Sequence, residues 1–360
     1  MRLLICAGGT GGGVYPALAV HEALMSEGAD VQTLWVGGEG GMEAGLVERA
    51  GIPFRAIPAA GVHGVGLRSL PGNLWRLARG TFAARRILRE YRPQALLFTG
   101  GYVAGPMAVA GAHLPTLLYV PDIEPGLALK SLARFADRIA LTAEESQAYF
   151  GKSRRTVVTG YPTRPGLTGW TRSRARKALQ LADDSPVLLL LGGSKGARSI
   201  NRSILANLPA LLDLAQVVHI TGQLDWEETR AAAHASPRYH VFPYLHEQMG
   251  AALAAADLAI SRAGASTLGE YPLFGLPSIL VPYPHAWRYQ KVNADHLVRR
   301  GAAVLLDDQH LTDELLPTVE VLLKTPARLE EMRRAVKALA RPQAAAEIGR
   351  LLLELAGKRS

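Results

Sequence analysis

The chain opens twice in the same way, with an apolar run, a glycine-rich break and then a helical segment. Arg2 to Ala7 leads into GGTGGGVYP (Gly8 to Pro16), and Val187 to Leu191 leads into GGSKGARS. An apolar strand that ends in a glycine turn and feeds a helix is the opening unit of a parallel α/β sheet, because the chain must cross back over the sheet face before the next parallel strand. Two such starts constrain the fold to two α/β halves. Strands expected at Val31–Val36, Phe54–Ile57, Ala95–Phe98, Thr116–Val120 and Arg138–Leu141 alternate with helices expected at Pro16–Glu27, Met42–Ala50, Leu74–Tyr91 and Ala128–Phe135. The second half repeats the alternation, with strands near Val217–Ile220, His240–Phe242, Leu258–Ile260 and Ser278–Val281, and turns mostly helical from Pro317. The pattern breaks at GYPTRPGLTGWTRS (Gly160 to Ser173), rich in Gly, Pro and Thr, which suits a domain boundary. The expected architecture is two Rossmann-like parallel-sheet domains facing across a cleft, residues 1–165 and 166–340, with a helix in 341–360 packing back on the first.

The 40 Lys and Arg exceed the 31 Asp and Glu, leaving a net charge of +9. Such an excess suits an anionic partner: a membrane surface, a nucleic acid or a phosphate-bearing substrate. The single cysteine, Cys6, excludes an internal disulfide and fits a reducing compartment. Leu3 to Ala7 is too short for the apolar part of a signal peptide, and glycines follow at once. Pro93 to Pro121 lacks Asp, Glu, Lys and Arg and is long enough by count to span a bilayer. Gly100, Gly101, Gly105, Pro106, Gly111 and Pro115 divide it, and it reads as strand, glycine loop, helix, strand.

Ser261 to Ala294 holds the densest chemistry. A small-residue turn follows an apolar strand and enters a helix, with Glu270 expected about a turn and a half inside it. A second strand then opens into a polar loop with His285, Arg288, Gln290 and Asn293. A helix start at a strand's carboxyl end offers unpaired N–H groups and a positive dipole end to a phosphate. A carboxylate nearby can accept two hydrogen bonds from a ribose diol. Neither glycine loop fits G-x-G-x-x-G in register, and neither contains G-x-x-x-x-G-K-[ST], which counts against a nicotinamide enzyme or a P-loop ATPase. The ten histidines have no ligand-like spacing and Asp183-Asp184 reads as a polar turn, so no metal site is expected.

Several motifs stand in order along nearly the whole chain: GGTGG (Gly8 to Gly12), GGYVAGP (Gly100 to Pro106), GYPTR (Gly160 to Arg164), GGSKGARSIN (Gly192 to Asn201), SRAGASTLGE (Ser261 to Glu270), GLPSILVPYPHAWRYQ (Gly275 to Gln290) and Asn293-Ala294. In this order the chain resembles the MurG-type glycosyltransferases of family 28. The resemblance implies a GT-B fold and an inverting, metal-independent transfer of N-acetylglucosamine without a cofactor. The donor would be UDP-N-acetylglucosamine, held by the C-terminal domain. The acceptor would be the 4-hydroxyl of undecaprenyl-pyrophosphoryl-N-acetylmuramoyl-pentapeptide, held by the N-terminal domain. By motif, Glu270 would bind the ribose, and Ala265, Ser266 and Thr267 would lie along the diphosphate. Leu268 and Gly269 would complete that edge, Gln290 would contact the sugar, and Arg164 and Ser194 would lie at the nucleotide. The loop at His246 would border the uracil, and Thr10, Gly11 and Gly12 would face the donor sugar and acceptor pyrophosphate.

The chain departs from the family on the acceptor side. The family's first loop continues GGTGGH, and the histidine position is Gly13 here; its His-Glu-x-Asn segment is Tyr119, Val120, Pro121 and Asp122. The general base is therefore open among Asp122, which would also touch substrate, then Glu124 and His63. Lys195 stands where the family commonly has glutamine.

Leu67 to Arg92 carries seven arginines (Arg68, Arg76, Arg79, Arg85, Arg86, Arg89, Arg92) against the single acid Glu90, with Leu74, Trp75, Leu77, Phe82, Ile87 and Leu88 interspersed. An exposed Trp75 and Leu70 in that field would dock on anionic headgroups, which fits a peripheral protein on the cytoplasmic face of the cell membrane. No recognition motif accompanies the charge, so nucleic acid is not expected as a partner. Three other readings stay open: a relative with a different lipid acceptor, a non-catalytic sugar-nucleotide-binding partner in cell-wall assembly, and a UDP-sugar epimerase of the same fold.

Overall fold

The computed structural model describes all residues except 10, 62–69, 152–154, 194–195, 233–235, 285–288 and 358–360. Two compact units share the chain, Met1–Arg164 with Pro342–Ser360, and Pro165–Arg341.

The first unit runs β1 (Arg2–Ala7), α1 (Gly11–Ser26), β2 (Gln32–Gly38), α2 (Glu43–Arg49), β3 (Phe54–Ile57), α3 (Leu70–Tyr91), β4 (Ala95–Gly100), α4 (Ala104–Ala110), β5 (Thr116–Val120), α5 (Leu127–Leu132), β6 (Arg138–Leu141) and β7 (Thr156–Val158). Its sheet has the order β3-β2-β1-β4-β5-β6-β7, with each neighbouring pair parallel. Ile5 stands opposite both Trp35 and Leu97 in register. Leu3 to Ala7 are completely buried, as a strand covered by helices on both faces requires.

The second unit runs α6 (Arg172–Ala178), β8 (Val187–Leu191), α7 (Arg198–Leu214), β9 (Gln216–Ile220), α8 (Trp226–Ala232), β10 (Tyr239–Phe242), α9 (Met249–Ala255), β11 (Leu258–Ser261), α10 (Glu270–Phe274), β12 (Ser278–Leu280), α11 (Tyr289–Val298), β13 (Ala303–Leu305), α12 (Leu311–Leu323) and α13 (Pro326–Lys337). Its sheet, β10-β9-β8-β11-β12-β13, is again parallel throughout. Leu311, Leu315, Val319 and Leu322 of α12 are buried at helical spacing in the core that β8 and α7 also line.

The last helix, α14 (Ala344–Gly357), belongs to the first unit. Ala345 packs on Ala19 and Ala23 of α1, and side chains this small let the two helix backbones approach closely. Among the described residues no helix is long and apolar enough to cross a membrane.

In both sheets the chain leaves the first strand of the unit on one side and later returns on the other. The crossing falls between β1 and β4 in the first unit and between β8 and β11 in the second. The crevice outside the carboxyl ends of such a strand pair is where open α/β sheets bind ligands.

Candidate functional site

The motif-bearing loops stand at these two switch points. In the second unit GGSKGARS follows β8 and the Gly264–Gly269 turn follows β11, on adjacent strands. Ala265–Leu268 forms a tight 3-10 turn, and α10 begins only at Glu270. This corrects the expectation that Glu270 sits inside the helix. Gly264 and Gly269 flank the turn and separate it from α10, a break that apolar spacing does not register. Glu270 is half-buried and lies in the first turn, where the helix dipole favours its negative charge.

Hydrogen bonds fix this turn from several sides. The hydroxyl of Thr267, 3% exposed, donates to the Gly264 carbonyl at 2.7 Å. Tyr271 Oη donates to Ser261 Oγ at 2.7 Å, and the buried Asn293 side chain donates to the Ala263 carbonyl at 3.1 Å. Arg262 pairs with Asp308 and donates to Ser199 Oγ at 2.7 Å, while Ser199 donates to Asp308 at 2.7 Å. That triangle ties the loop after β11 to the start of α7. Gln290 Oε1 accepts from the Tyr283 amide at 2.8 Å, so the Gln290 side chain closes the polar loop after β12. His246 follows β10, and its ring lies 4.5 Å from that of Tyr244. Ala265 to Glu270 and Gln290 thus share the carboxyl edge of adjacent β11 and β12, whereas His246 stands at the far side of the sheet. Ser194, Lys195, His285 and Arg288 lie outside the described residues.

The glycine loop after β8 is braced by a buried network that sequence reading missed. Asn201 donates to Asp225 at 2.9 Å and to the Thr221 carbonyl at 3.0 Å, and Arg198 reaches Asp225 at 3.3 Å. Since the Asn201 amide group donates twice, its oxygen is the acceptor for His219 Nε2. Burial pushes the His219 pKa down to about 3, so its ring is neutral. These partners lie 18 to 27 residues apart in sequence, and no local pattern announces them.

In the first unit GGTGGG follows β1 and GGYVAGP follows β4, side by side. Gly11 and Gly12 form the start of α1. Thr99 Oγ1 donates to the Gly13 carbonyl at 2.6 Å, and a Cβ at Gly13 would lie 3.3 Å from the Thr99 carbonyl oxygen. The family's histidine would therefore need that backbone to give way. Asp122 is half-buried, just beyond β5 and two strands from β1, a lateral step of about 10 Å. Tyr119 donates or accepts at 2.8 Å with Thr142, and burial above all holds its pKa well above the usual range. Glu124 is 3% exposed, with Oε1 3.5 Å from Lys130 Nζ. His63 and Thr10 lie outside the described residues. Arg164 closes the unit with its guanidinium 4.4 Å from the Tyr15 ring centre, and its Nε is buried without a partner among the described residues. Sequence reading also missed Glu43, which contacts the first glycine loop from the α2 side.

On α3, Trp75 and Phe82 are 67% and 69% exposed, and Leu74 is exposed beside them. Arg76, Arg79, Arg85 and Arg89 are exposed on the same helix, and Arg86 is paired with Glu90. The side chain of Leu70 and residues 67–69 lie outside the described set. A cavity of about 260 Å³ between α3, α4 and α5 is lined mainly by apolar groups, among them Leu77, Tyr102, Pro106 and Phe135.

Comparison with known proteins follows the same two-unit division. The profile of the glycosyltransferase family 28 N-terminal domain matches residues 3–141, and that of the family 28 C-terminal domain matches residues 187–348. A UDP-N-acetylglucosamine--N-acetylmuramyl-(pentapeptide) pyrophosphoryl-undecaprenol N-acetylglucosamine transferase of Roseiflexus sp. (strain RS-1) is 41% identical, over 100% of this chain and 96% of the relative. The transferase of the same name from Desulforudis audaxviator (strain MP104C) is 42% identical, over 99% of each. The crystal structure of Acinetobacter baumannii MurG superposes with a TM-score of 0.75 at 29% identity, covering 98% of this chain and 99% of that one. A UDP-GlcNAc 2-epimerase from Neisseria meningitidis reaches a TM-score of 0.70 at 13% identity over 98% of this chain and 100% of the other, which shows a shared fold alone. Matched in both halves by the family profiles and along its length by these transferases, the chain belongs to the MurG-type glycosyltransferases of family 28.

Proposed function

We propose that the enzyme transfers N-acetylglucosamine from UDP-N-acetylglucosamine to the 4-hydroxyl of a lipid-linked N-acetylmuramoyl-pentapeptide, completing the disaccharide precursor of peptidoglycan. The observation that carries this reading is full-length identity above 40% to transferases named for that reaction. The reaction is a single displacement. The acceptor oxygen attacks the anomeric carbon, the bond from that carbon to the diphosphate oxygen breaks, and configuration inverts.

The second unit holds the donor. Glu270 accepts from the ribose hydroxyls, with its charge supported by the start of α10. Backbone N–H groups at the opening of the Ala265–Gly269 turn, with Ser194, lie along the diphosphate and stabilise the charge that grows on the leaving UDP. Thr267 shapes this turn, since its hydroxyl and its backbone N–H both donate to the Gly264 carbonyl, at 2.7 and 3.0 Å. The Gln290 oxygen is engaged by Tyr283, so its amide N–H groups are what it offers the sugar. The Tyr244–His246 pair borders the uracil.

The first unit holds the acceptor, with Thr10, Gly11 and Gly12 at its pyrophosphate. Asp122 is the general base. What favours it over Glu124 is exposure: Glu124 is buried against Lys130, whereas Asp122 keeps a solvent-facing part at the sheet's carboxyl edge. The arginine-flanked Trp75 and Phe82 dock α3 on anionic lipid at the cytoplasmic face, bringing the first unit to its membrane-bound acceptor.

Incubation with both substrates, read by mass spectrometry, tests the assignment. A lipid product heavier by one N-acetylhexosamine is expected. An epimerised or hydrolysed donor formed equally well without acceptor would instead support the epimerase reading.

A further inference from the structure

Glu43 is 1% exposed, and among the described residues its recorded partners are backbone N–H groups. Oε1 accepts from the Gly38 amide at 2.8 Å and Oε2 from the Gly9 amide at 3.2 Å. The carboxylate fills the space beside two glycines: a Cβ at Gly8 would lie 2.4 Å from Oε1, and one at Gly41 would lie 2.3 Å from it. On the other face of the loop a Cβ at Gly101 would lie 2.6 Å from the Gly8 carbonyl oxygen. The peptide between Gly8 and Gly9 is therefore held from both sides, its N–H turned to Glu43 and its carbonyl to the β4 loop. Gly9 completes this geometry at φ +87°, a value that side-chain-bearing residues rarely adopt.

The geometry points to Glu43 as a positioning residue that locks the Gly8–Gly9 peptide, so that the following N–H groups at the start of α1 stay turned to the acceptor. This role rests on the reading that the first glycine loop faces the acceptor pyrophosphate. A flipped peptide would set the Gly8 carbonyl against a buried carboxylate, and two such acceptors in one apolar pocket repel. The carboxylate thus excludes the flipped state without touching substrate. It also takes the Gly9 N–H out of the set that can bind phosphate.

Glu43→Gln tests this, because glutamine has the same shape and one of its ends donates where the carboxylate accepted. With Oε1 kept on Gly38, its amide group faces the Gly9 N–H and two donors meet. Amide hydrogen exchange by mass spectrometry should then speed up at least tenfold in the segment covering residues 8–13, with the β4 and β5 strands unchanged. Steady-state kinetics should show kcat/KM for the acceptor at least tenfold lower and the donor KM within twofold of wild type. Unaltered exchange in 8–13 would overturn the role. Acceleration shared evenly across the first unit, with both KM values unchanged, would also overturn it, since that pattern marks general destabilisation. Should the wild-type protein turn over no acceptor, the functional reading fails, while the exchange comparison still decides the role of Glu43.

Discussion

His219 and Asn201 meet in the interior of the second unit, with the histidine Nε2 2.9 Å from the asparagine oxygen and both residues at most 2% exposed. Tyr239 Oη lies 2.8 Å from the other ring nitrogen, so a neutral imidazole donates once, accepts once and leaves nothing unmet. Burial holds the folded-state pKa near 3, below the unfolded value of 6.5. The unfolded chain therefore binds a proton that the folded one refuses. Stability from this group is complete above pH 6.5 and is lost as pH falls toward 3, by at most about 1.4 kcal/mol per pH unit. Urea unfolding of wild type and His219→Gln between pH 7 and 4 should show a shallower loss in the variant. Parallel slopes would mean that His219 does not titrate between the two states.

The same network should matter to the donor. Asn201→Leu removes the link between His219 and Asp225 at the base of the glycine loop after β8. Leaving Asp225 and His219 short of partners should lower stability by about 2–4 kcal/mol and raise the donor KM more than the acceptor KM. Thermal denaturation and steady-state kinetics measure both, and equal KM changes would detach the network from the donor loop.

Glu270→Ala should raise the donor KM roughly 10- to 150-fold, the loss of charged hydrogen bonds worth about 1.5–3 kcal/mol, with the acceptor KM unchanged. An unchanged donor KM would remove Glu270 from the ribose.

Asp122→Asn should lower kcat by roughly 10²–10⁴-fold, with little effect on donor binding measured by calorimetry. Glu124→Gln should act mainly on stability, because it removes the buried charge that faces Lys130. Near-wild-type turnover in Asp122→Asn would move the base to His63 or Glu124.

Replacing Trp75 by Ser and Arg79 by Gln should weaken binding to anionic vesicles by about tenfold or more, and added salt should reduce the remaining binding. Equal co-sedimentation of variant and wild type would leave α3 a solvated basic face.

The strand-and-helix alternation was legible because buried parallel strands are continuous apolar runs, as in Leu3 to Ala7. The switch-point loops were legible because their glycines are consecutive. Helix starts were harder. α1 begins at Gly11, five residues before the expected Pro16, because three glycines carry no side-chain period and Pro16 lies inside the helix. β7 and β13 were missed as three-residue strands at the sheet edges. Glu43, Asp225 and Asp308 act across long sequence separations, and a carboxylate beside glycines looks the same whether it is solvated or buried under a loop. Glu270 was found by its motif but placed too deep in its helix, because a 3-10 turn and the first turn of an α-helix share the same residues in a sequence.

The most direct test of the central claim is the linkage in the product. With UDP-N-acetylglucosamine and the lipid-linked muramoyl-pentapeptide as substrates, proton NMR of the released disaccharide should show one new anomeric signal with the large coupling of a β bond to the muramoyl 4-position. An α bond, a bond to another hydroxyl, or no disaccharide at all would contradict it.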